Sequence, residues 1–344
     1  MPDGDWQLED VPCDYCGSRD ADHLIAGRDR AHGLPGEFNV VRCRQCGLSR
    51  TNPRPTLASL AKAYPEAYPQ HQAEAREVRP PRGLLRWTLV NRLDYPLGRR
   101  AGRLLRALLL PVTGAVLARR RAAGYLPFTG QGRLLDFGCG VGRYVGRMAA
   151  AGWHAEGLDI SPEAVRLGRD AGLTMHQGTL PGSDLPAESY DAVTLWQALE
   201  HVPSPKATLE AVARLLRPGG RVAVICPRLG SLDAEWFGSC WFALELPRHL
   251  WHFTEATLRR HLEATGFEVE RVRSIRRPAI LRRSFAQLAD ETGKGLHRRL
   301  ARSRLVTGAM SWMTFLRRRT GQMMVIARRR QELHLAGGLV EDPP

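Results

Sequence analysis

The sequence has no long hydrophobic segment. Its longest apolar run, residues 107–118, has twelve residues and is interrupted by Pro111 and Gly114, so it is too short to span a bilayer as a helix. The first six residues, from Met1 to Trp6, are acidic and contain no apolar run, so we expect no secretory signal. Internal repeats and long low-complexity tracts are also missing. We therefore expect a cytoplasmic globular protein, and the hydrophobic fraction of 43% agrees with that class.

Lysine is scarce, since 47 of the 50 basic residues are arginine. A bias of this size is typical of genomic base composition and does not by itself indicate phosphate binding. The net charge of +15 comes from two segments. Residues 82–121 hold ten arginines against one acid, and residues 271–330 hold 17 basic residues against two acids. The remainder is mildly acidic, so any contact with an anionic membrane or nucleic acid is expected from these two segments.

Four of the seven cysteines form two Cys-x-x-Cys pairs, Cys13 with Cys16 and Cys43 with Cys46, with 26 residues between the pairs. This spacing is typical of a structural zinc site with four thiolate ligands. A glycine follows each pair, which suits a knuckle that turns backbone N–H groups toward the sulfurs. Two disulfides are the alternative, which a reducing cytosol disfavours. The isolated cysteines are expected to be packing residues: Cys139, Cys226 and Cys240.

The stretch from Arg133 to Tyr144 joins an apolar run to a glycine-rich turn and a helical pattern. The apolar run ends at Asp136, and the glycines stand at positions 138, 140 and 142. Glycines let the backbone approach a ligand closely, and a helix N-terminus offers free N–H groups. The stretch therefore predicts a strand, a turn and a helix that form a cofactor site, with the carboxylate of Asp136 at the end of the strand.

The spacing of these glycines differs from the dinucleotide fingerprint Gly-x-Gly-x-x-Gly, because Arg143 stands where the third glycine would fall. It resembles the first motif of the class I S-adenosylmethionine (SAM) dependent methyltransferases, Leu-Asp-x-Gly-Cys-Gly-x-Gly. The resemblance implies that the glycine turn lies against the methionine part of SAM. An ordinary glycine turn of another α/β protein is the alternative that this motif leaves open. The motif is matched at Leu135, Asp136, Gly138, Cys139, Gly140 and Gly142.

An acidic residue, Asp159, ends the second predicted strand, His154–Asp159, and lies 17 residues after Gly142. A carboxylate at this place can accept hydrogen bonds from both ribose hydroxyls of an adenosine cofactor. Asp159 could instead cap the following helix, but Ser161 is the better N-cap. Thr179 stands where the family commonly has an acid. The resemblance implies a cofactor-binding set of Asp136, Gly138, Cys139, Gly140, Gly142, Asp159, Ile160, Thr179, Leu180 and Trp196.

The fourth predicted strand, Tyr190–Trp196, runs into Glu200-His201-Val-Pro. This segment resembles the Glu-His-Val segment of small-molecule methyltransferases, including O-methyltransferases of ubiquinone biosynthesis. It follows the carboxyl end of a central strand, where open α/β sheets place ligands. Methyl transfer to oxygen or nitrogen needs one base within reach of the acceptor. His201 is the first candidate because histidine titrates near neutral pH. Glu200 either orients it or, if the segment is helical, is turned away, because adjacent residues of a helix do not share a face.

Aromatic residues and histidines crowd residues 236–253, after the fifth predicted strand. Two interpretations are open. The rings form an apolar acceptor pocket with His249 or His252 as the base, or they pack inside a cap. The Pro-Arg-His-Leu sequence at residues 247–250 resembles a recurring segment of the family.

Alternating strands and helices from Arg133 onward predict a doubly wound, seven-stranded, Rossmann-like α/β sheet whose last strand is antiparallel. The cysteine pairs followed by Asn-Pro-Arg-Pro at residues 52–55 resemble a bacterial subgroup with a zinc-knuckle N-terminus. Two basic helices are expected, at 284–302 and 305–319. The predicted domains are a zinc-knuckle module at 1–55, a helical connector or cap at 56–124, a methyltransferase domain at 125–330 with a basic helical insertion at 278–320, and a tail at 331–344.

The resemblance implies methyl transfer from SAM to a small-molecule acceptor of sugar, quinone or envelope type, on oxygen, nitrogen or carbon. Two alternatives are open. An RNA methyltransferase would hold its substrate with the zinc module and the arginine-rich segments. A non-catalytic peripheral membrane protein would place residues 83–124 and 278–320 on an anionic membrane. The sequence does not indicate the oligomeric state.

Overall fold

The computed structural model describes residues 6–64, 78–113 and 124–331. Residues 1–5 of the predicted zinc-knuckle module, residues 65–77 and 114–123 of the predicted connector, and residues 332–344 of the predicted tail lie outside these ranges. None of the helices within these three ranges combines the length and the apolar character needed to cross a bilayer.

The amino-terminal module contains a small antiparallel sheet, a separate antiparallel pair of short strands and one helical turn. Its elements are β1 (Leu8–Glu9), β2 (Ala21–Arg28), β3 (Glu37–Cys43), β4 (Ser49–Thr51), β5 (Arg54–Pro55) and α1 (Leu57–Leu60). Strands β2, β3 and β4 lie side by side, and β1 pairs with β5. A fourth strand, β11 (Trp251–His252), joins the sheet beside β4 from far along the chain.

The connector holds two helices, α2 (Gly83–Leu93) and α3 (Arg103–Leu108). Helix α2 buries Leu89 in the interior of the large domain. The helical region breaks after α2, because Asp94 adopts a left-handed conformation with φ 62° and Pro96 follows.

The large domain is built on a seven-stranded sheet. Its strands are β6 (Arg133–Phe137), β7 (His154–Asp159), β8 (Thr174–Gln177), β9 (Tyr190–Trp196), β10 (Leu216–Pro227), β12 (Phe267–Ile275) and β13 (Gln322–Arg329). The strand order is β12-β13-β10-β9-β6-β7-β8. Strand β13 is antiparallel to both neighbours, and strands β6 to β10 are parallel. The predicted seven-stranded sheet with an antiparallel last strand is confirmed.

Helices cover both faces of this sheet. They are α4 (Arg143–Ala150), α5 (Pro162–Asp170), α6 (Pro205–Leu215) and α8 (Glu255–Ala264). Helix α7 (Leu232–Phe237) packs instead against the helical insertion that follows β12. Leu135 packs in one core with residues of α6 and α8, whereas its neighbour Leu134 packs in a second core with residues of α4 and α5. Adjacent strand residues point to opposite faces, so both faces are buried and the sheet is doubly wound.

Three helices separate β12 from β13, where the sequence led us to expect two. They are α9 (Pro278–Thr292), α10 (Gly295–Arg302) and α11 (Arg304–Leu316). The prediction was wrong because Gly293 takes φ 67° and ends α9 inside the expected first helix. The hydroxyl of Ser303 then accepts from Val306 N and starts α11.

Candidate active site

The turn after β6 is built from the three motif glycines. Gly138, Gly140 and Gly142 have φ values of 69°, 54° and 76°, a conformation that other residues rarely adopt. A Cβ atom on Gly138 would lie 2.8 Å from that of Ala198. Gly138 N donates to Leu158 O at 2.8 Å and ties the turn to β7. The motif therefore forms a tight backbone turn with no room for a side chain at Gly138.

Asp159, the last residue of β7, lies against this turn. Its Oδ2 accepts from Gly140 N at 2.7 Å, and its Oδ1 accepts from Ser161 N at 2.9 Å. Each carboxylate oxygen can accept a further hydrogen bond, as binding of two neighbouring hydroxyls would require. Ser161 caps α5 by accepting from Ala164 N at 3.2 Å, so Asp159 is not needed as the cap.

Asp136 faces the interior of the protein. Thr194 Oγ1 donates to Asp136 Oδ1 at 2.6 Å. Burial raises the pKa of Asp136 to about 8, and the hydrogen bond from Thr194 only partly opposes this effect. The carboxyl is therefore mostly protonated at neutral pH. Sequence reasoning missed Thr194, because only the pairing of β6 with β9 places the two residues opposite each other.

The other members of the predicted cofactor set surround the tips of β6, β7 and β9. Trp196 ends β9, and its ring packs on Tyr144 with centroids 4.8 Å apart. Leu180 is buried, whereas Ile160 is 72% exposed directly after Asp159. Thr179 is exposed and Cys139 is half-buried. Contacts of these residues with SAM remain predictions.

Glu200, His201 and His249 converge beyond the carboxyl end of β9. One donor atom of each lies within 4.8 Å of the other two, and the two imidazole centroids are 4.6 Å apart. Residues 197–203 form turns, so Glu200 and His201 can present their side chains to the same place although they are adjacent. The structure thus brings the three predicted catalytic residues together. A carboxyl and two imidazoles are also a donor set that a divalent transition metal accepts.

Hydrogen bonds assign the tautomer of His201. Its Nδ1 lies 2.9 Å from Tyr64 Oη and 3.1 Å from Arg248 O. A carbonyl oxygen only accepts, so Nδ1 carries the proton and Nε2 keeps its lone pair. Burial lowers the pKa of His201, and the nearby charge of Glu245 opposes this only in part. The ring is therefore neutral at pH 7 and able to accept a proton at Nε2.

Glu200 is buried without a hydrogen-bond partner for either carboxyl oxygen within the described ranges. Burial raises its pKa to about 8, so the carboxyl is mostly protonated at neutral pH. An unsatisfied buried carboxyl is costly to the fold. Such groups cluster at functional sites, and this one adjoins the candidate base.

Most rings of the aromatic segment pack inside the protein. Trp241, Phe237 and Phe253 are buried, and the ring of Phe237 packs on Phe285 of α9 at 4.8 Å. Phe237 and Trp241 pack in the interior beneath the helical insertion, whereas Phe253 packs in the core on one face of the large sheet. This packing favours the second interpretation, and the acceptor pocket stays a prediction. Trp236 is partly exposed.

His252, the alternative base, has a structural contact instead. Thr51 Oγ1 donates to His249 O at 2.7 Å and therefore accepts from His252 Nε2 at 3.1 Å. Burial lowers the pKa of His252 to about 3. The residue joins β11 to β4 and is not available to a substrate proton.

Arg248 of the Pro-Arg-His-Leu segment binds the amino-terminal module. Its Nη2 and Nη1 donate to Asp29 Oδ1 and Oδ2 at 2.8 and 3.1 Å, and its Nε donates to Glu245 at 3.2 Å. Both side chains of the Arg248–Asp29 pair are fully buried. Burial alone would raise the pKa of Asp29, but the bonds from Arg248 hold it below its ordinary value. The segment therefore holds His249 in place against the module.

The four paired cysteines meet at one point of the module. The Sγ atoms of Cys13 and Cys46 are 3.4 Å apart, those of Cys16 and Cys43 are 3.5 Å apart, and all four lie within 4.8 Å of one another. The thiols are free, so the alternative of two disulfides is not adopted. Four sulfurs at these separations fit a tetrahedral zinc ion with bonds of about 2.3 Å.

Both knuckles have the same backbone geometry. Gly17 N donates to Cys13 O at 2.8 Å, Gly47 N donates to Cys43 O at 2.9 Å, and both glycines have φ 74°. Burial tends to raise the pKa of Cys43, but N–H groups of the knuckle donate to its thiol and lower the pKa to about 7. These N–H groups therefore favour the metal-binding thiolate form at Cys43, whereas burial raises the pKa of the Cys13 and Cys46 thiols.

Comparisons with known proteins identify the family of the chain and several relatives. The family model described as a methyltransferase domain matches residues 99–272, just over half of the chain. The ubiquinone biosynthesis O-methyltransferase of Xanthomonas axonopodis pv. citri is 33% identical over 153 residues, which cover 41% of this chain and 64% of that protein. The protein of the same name from Xylella fastidiosa is 31% identical over 180 residues, covering 48% and 72%.

The chain therefore spans less than two thirds of the first of these relatives. Among solved structures, an S-adenosylmethionine dependent methyltransferase from Mesorhizobium loti superposes with a TM-score of 0.42 at 20% identity. That match covers 61% of this chain and 96% of the other.

Proposed function

Because this chain belongs to the methyltransferase domain family, we propose that it transfers the methyl group of SAM to a hydroxyl of a small, quinone-type acceptor. The observation that carries the proposal is the 2.7 Å hydrogen bond from Gly140 N to the Asp159 carboxylate. This bond places an acid beside the glycine turn at the carboxyl ends of β6 and β7, where open α/β sheets bind ligands. The relatives named for ubiquinone biosynthesis support the acceptor class and the oxygen.

The residues around the glycine turn fit SAM as cofactor. When bound, SAM supplies an electrophilic methyl group attached to a sulfonium. Asp159 would accept hydrogen bonds from the ribose hydroxyls, and Gly138 and Gly140 would let the backbone approach the methionine part. The exposed side chain of Ile160 offers an apolar surface to the adenine.

His201 is the proposed general base. Its Nε2 takes up the proton that the acceptor hydroxyl loses on methylation, and its lowered pKa keeps Nε2 unprotonated at neutral pH. Tyr64 and Arg248 O hold the opposite side of the ring. Glu200 is protonated near neutral pH, so it adds no negative charge and can donate a hydrogen bond within the cluster.

The test is transfer of a radiolabelled methyl group from SAM to a panel of hydroxylated quinols. His201→Ala should lower kcat by roughly 100-fold or more and leave the Kd for SAM unchanged, because the donor contacts lie at Asp159. Wild-type activity should hold at pH 7 and should fall only below the ordinary histidine pKa of 6.5, because burial lowers the pKa of His201.

His154→Ala is the matched control, since His154 is exposed at the opposite end of the sheet. It should keep wild-type kcat and the wild-type pH profile. Unchanged kcat in His201→Ala would overturn the assignment of the base. SAM binding without transfer to any hydroxyl acceptor would overturn the acceptor class.

The cysteine site fits a structural zinc ion held by Cys13, Cys16, Cys43 and Cys46. All four positions around the metal would be protein ligands, which leaves none for a substrate. Four reduced thiols need a reducing compartment, so the cytoplasm is the proposed location. We also propose the following domains: a zinc module at 1–55, a connector at 56–124, a catalytic domain at 125–330 and a tail at 331–344.

A further inference from the structure

Helix α11 (Arg304–Leu316) shows its apolar side to solvent and its polar side to the protein. Its buried positions are Thr307, Ser311 and Thr314. The opposite row is exposed, with Leu305 at 87%, Trp312 at 51% and Leu316 at 75%. This spacing follows one face of a helix, so the arrangement is a continuous apolar strip rather than scattered single residues.

The inward polar row needs no partner from the rest of the protein. Thr307 Oγ1 donates to Ser303 O at 2.8 Å, and Thr314 Oγ1 donates to Ser311 O at 3.2 Å. The hydroxyls of Thr307 and Thr314 are therefore satisfied by carbonyl groups of the same segment. The fold thus tolerates the inward row, while the outward row leaves large apolar surface in water, which marks an interaction site.

Basic side chains surround the apolar strip. Residues 278–320 contain ten basic residues and two acids, and one of the acids, Glu291, pairs with Arg28 and Arg30 of the amino-terminal module at 2.6 and 2.7 Å. Arg276 stacks over the ring of Trp312 at 4.3 Å. Exposed arginines flank both ends of α11: Arg298, Arg299, Arg302, Arg304, Arg317 and Arg318.

A cavity of about 330 Å³ lies between α9 and α10 and is lined by Arg282, Arg283, Arg298 and Arg302. The only acid in its wall is Asp290, whose carboxylate is 3.9 Å from Arg298. Guanidinium groups bind phosphate oxygens in a fork geometry. The cavity is therefore suited to a phosphate group.

We propose that α10 and α11 dock on the surface of an anionic phospholipid bilayer. The helix lies in the plane of the interface, with Leu305, Trp312 and Leu316 among the acyl chains and the arginines against the headgroup phosphates. RNA would use the arginines but has no place for a row of exposed leucine and tryptophan. This inference goes beyond the proposed methyl transfer and does not depend on it.

Vesicle sedimentation without SAM tests the proposal, with the full chain and vesicles of phosphatidylcholine with or without phosphatidylglycerol. Wild-type protein should bind the anionic vesicles, and high salt should weaken binding. Leu305→Ser/Leu316→Ser should weaken it at least tenfold, because two leucines lose their burial. Arg298→Gln/Arg302→Gln should weaken it by roughly fivefold for each arginine.

The control is Leu24→Ser/Leu57→Ser, which changes two exposed leucines of the amino-terminal module and should bind like wild type. Circular dichroism shows that each variant is folded. Failure of the wild type to bind anionic vesicles overturns the proposal. Unchanged vesicle binding by the leucine variant also overturns it. Tighter binding to transfer RNA than to vesicles, weakened by the arginine variant but not by the leucine variant, overturns it as well.

Discussion

Two residues of the site, Asp136 and Glu200, have buried carboxyl groups with raised pKa values. Burial raises the pKa of Asp136 from an ordinary 3.8, and that of Glu200 from 4.5, to about 8 in each case. Because the folded pKa lies above the unfolded one, the protonated form stabilises the fold. That contribution is complete below about pH 4 and is lost as the pH rises through about 8. Ionisation of these two carboxyl groups therefore lowers the free energy of unfolding at alkaline pH.

Asp136→Asn should flatten the pH dependence of the free energy of unfolding. Asparagine can still accept from Thr194 through Oδ1, and it does not ionise. Ionisation of Asp136 should lower the free energy of unfolding of the wild type by up to about 1.4 kcal/mol for each pH unit between 5 and 8. The variant should not show this decrease. Urea unfolding at each pH measures the difference. The exposed Asp170→Asn should keep the wild-type slope, and parallel curves for wild type and Asp136→Asn would contradict the raised pKa.

Some residues of the site could be predicted from the sequence because their roles are local. The spacing of Gly140 and Asp159 requires only a strand, a turn and a helix in succession. Thr194 and Tyr64 could not be predicted, because their contacts with Asp136 and His201 depend on strand register and on how the amino-terminal module lies against the sheet.

At the scale of elements, the amino-terminal module is joined to the large domain through shared structure. Strand β11 completes the module's sheet. Asp14 in the first knuckle accepts from Lys206 N at 2.7 Å and so caps α6 together with Ser204. The buried Arg248–Asp29 pair is a further connection, and Arg248 immediately precedes His249.

Arg248→Ala should destabilise the protein by about 3–5 kcal/mol, because it leaves the Asp29 carboxylate buried without its partner. Asp29→Asn/Arg248→Met should recover part of the loss, since the unpaired charge is then removed. Urea unfolding of the full chain measures both. Arg166→Ala removes an exposed pair with Glu163 and should cost less than about 1 kcal/mol. Equal decreases in the free energy of unfolding for Arg248→Ala and Arg166→Ala would contradict a stabilising role of the buried pair.

The purified protein should contain about one zinc ion per chain, measured by plasma mass spectrometry. Cys43→Ser should lose the metal and lower Tm, because metal binding is coupled to folding of the module. Cys240→Ala changes a buried cysteine outside the cluster and should retain the zinc. Wild-type protein that is fully folded without metal, at the Tm of the metal-bound form, would exclude a structural role.

At the scale of the whole molecule, the sheet could be predicted because each strand and its following helix have a local pattern. The seven strands and the antiparallel position of β13 follow from that alternation and from the resemblance of the motifs. The third insertion helix could not be predicted, because Gly293 and Ser303 act as helix ends only in their observed conformations. The contribution of β11 to another sheet depends on pairing between distant residues.

The central claim is that Asp159 and the glycine turn hold the adenosine part of SAM. Calorimetric titration with SAM tests it most directly in the wild type, in Asp159→Ala and Asp159→Asn, and in the exposed control Asp170→Ala. We predict one SAM-binding site per chain, with the same Kd, in the wild type and in the control. We predict a Kd at least about 100-fold higher in both Asp159 variants, since two hydrogen bonds to a charged group are lost. Absence of SAM binding in the wild type, or unchanged affinity in folded Asp159 variants, would contradict the account.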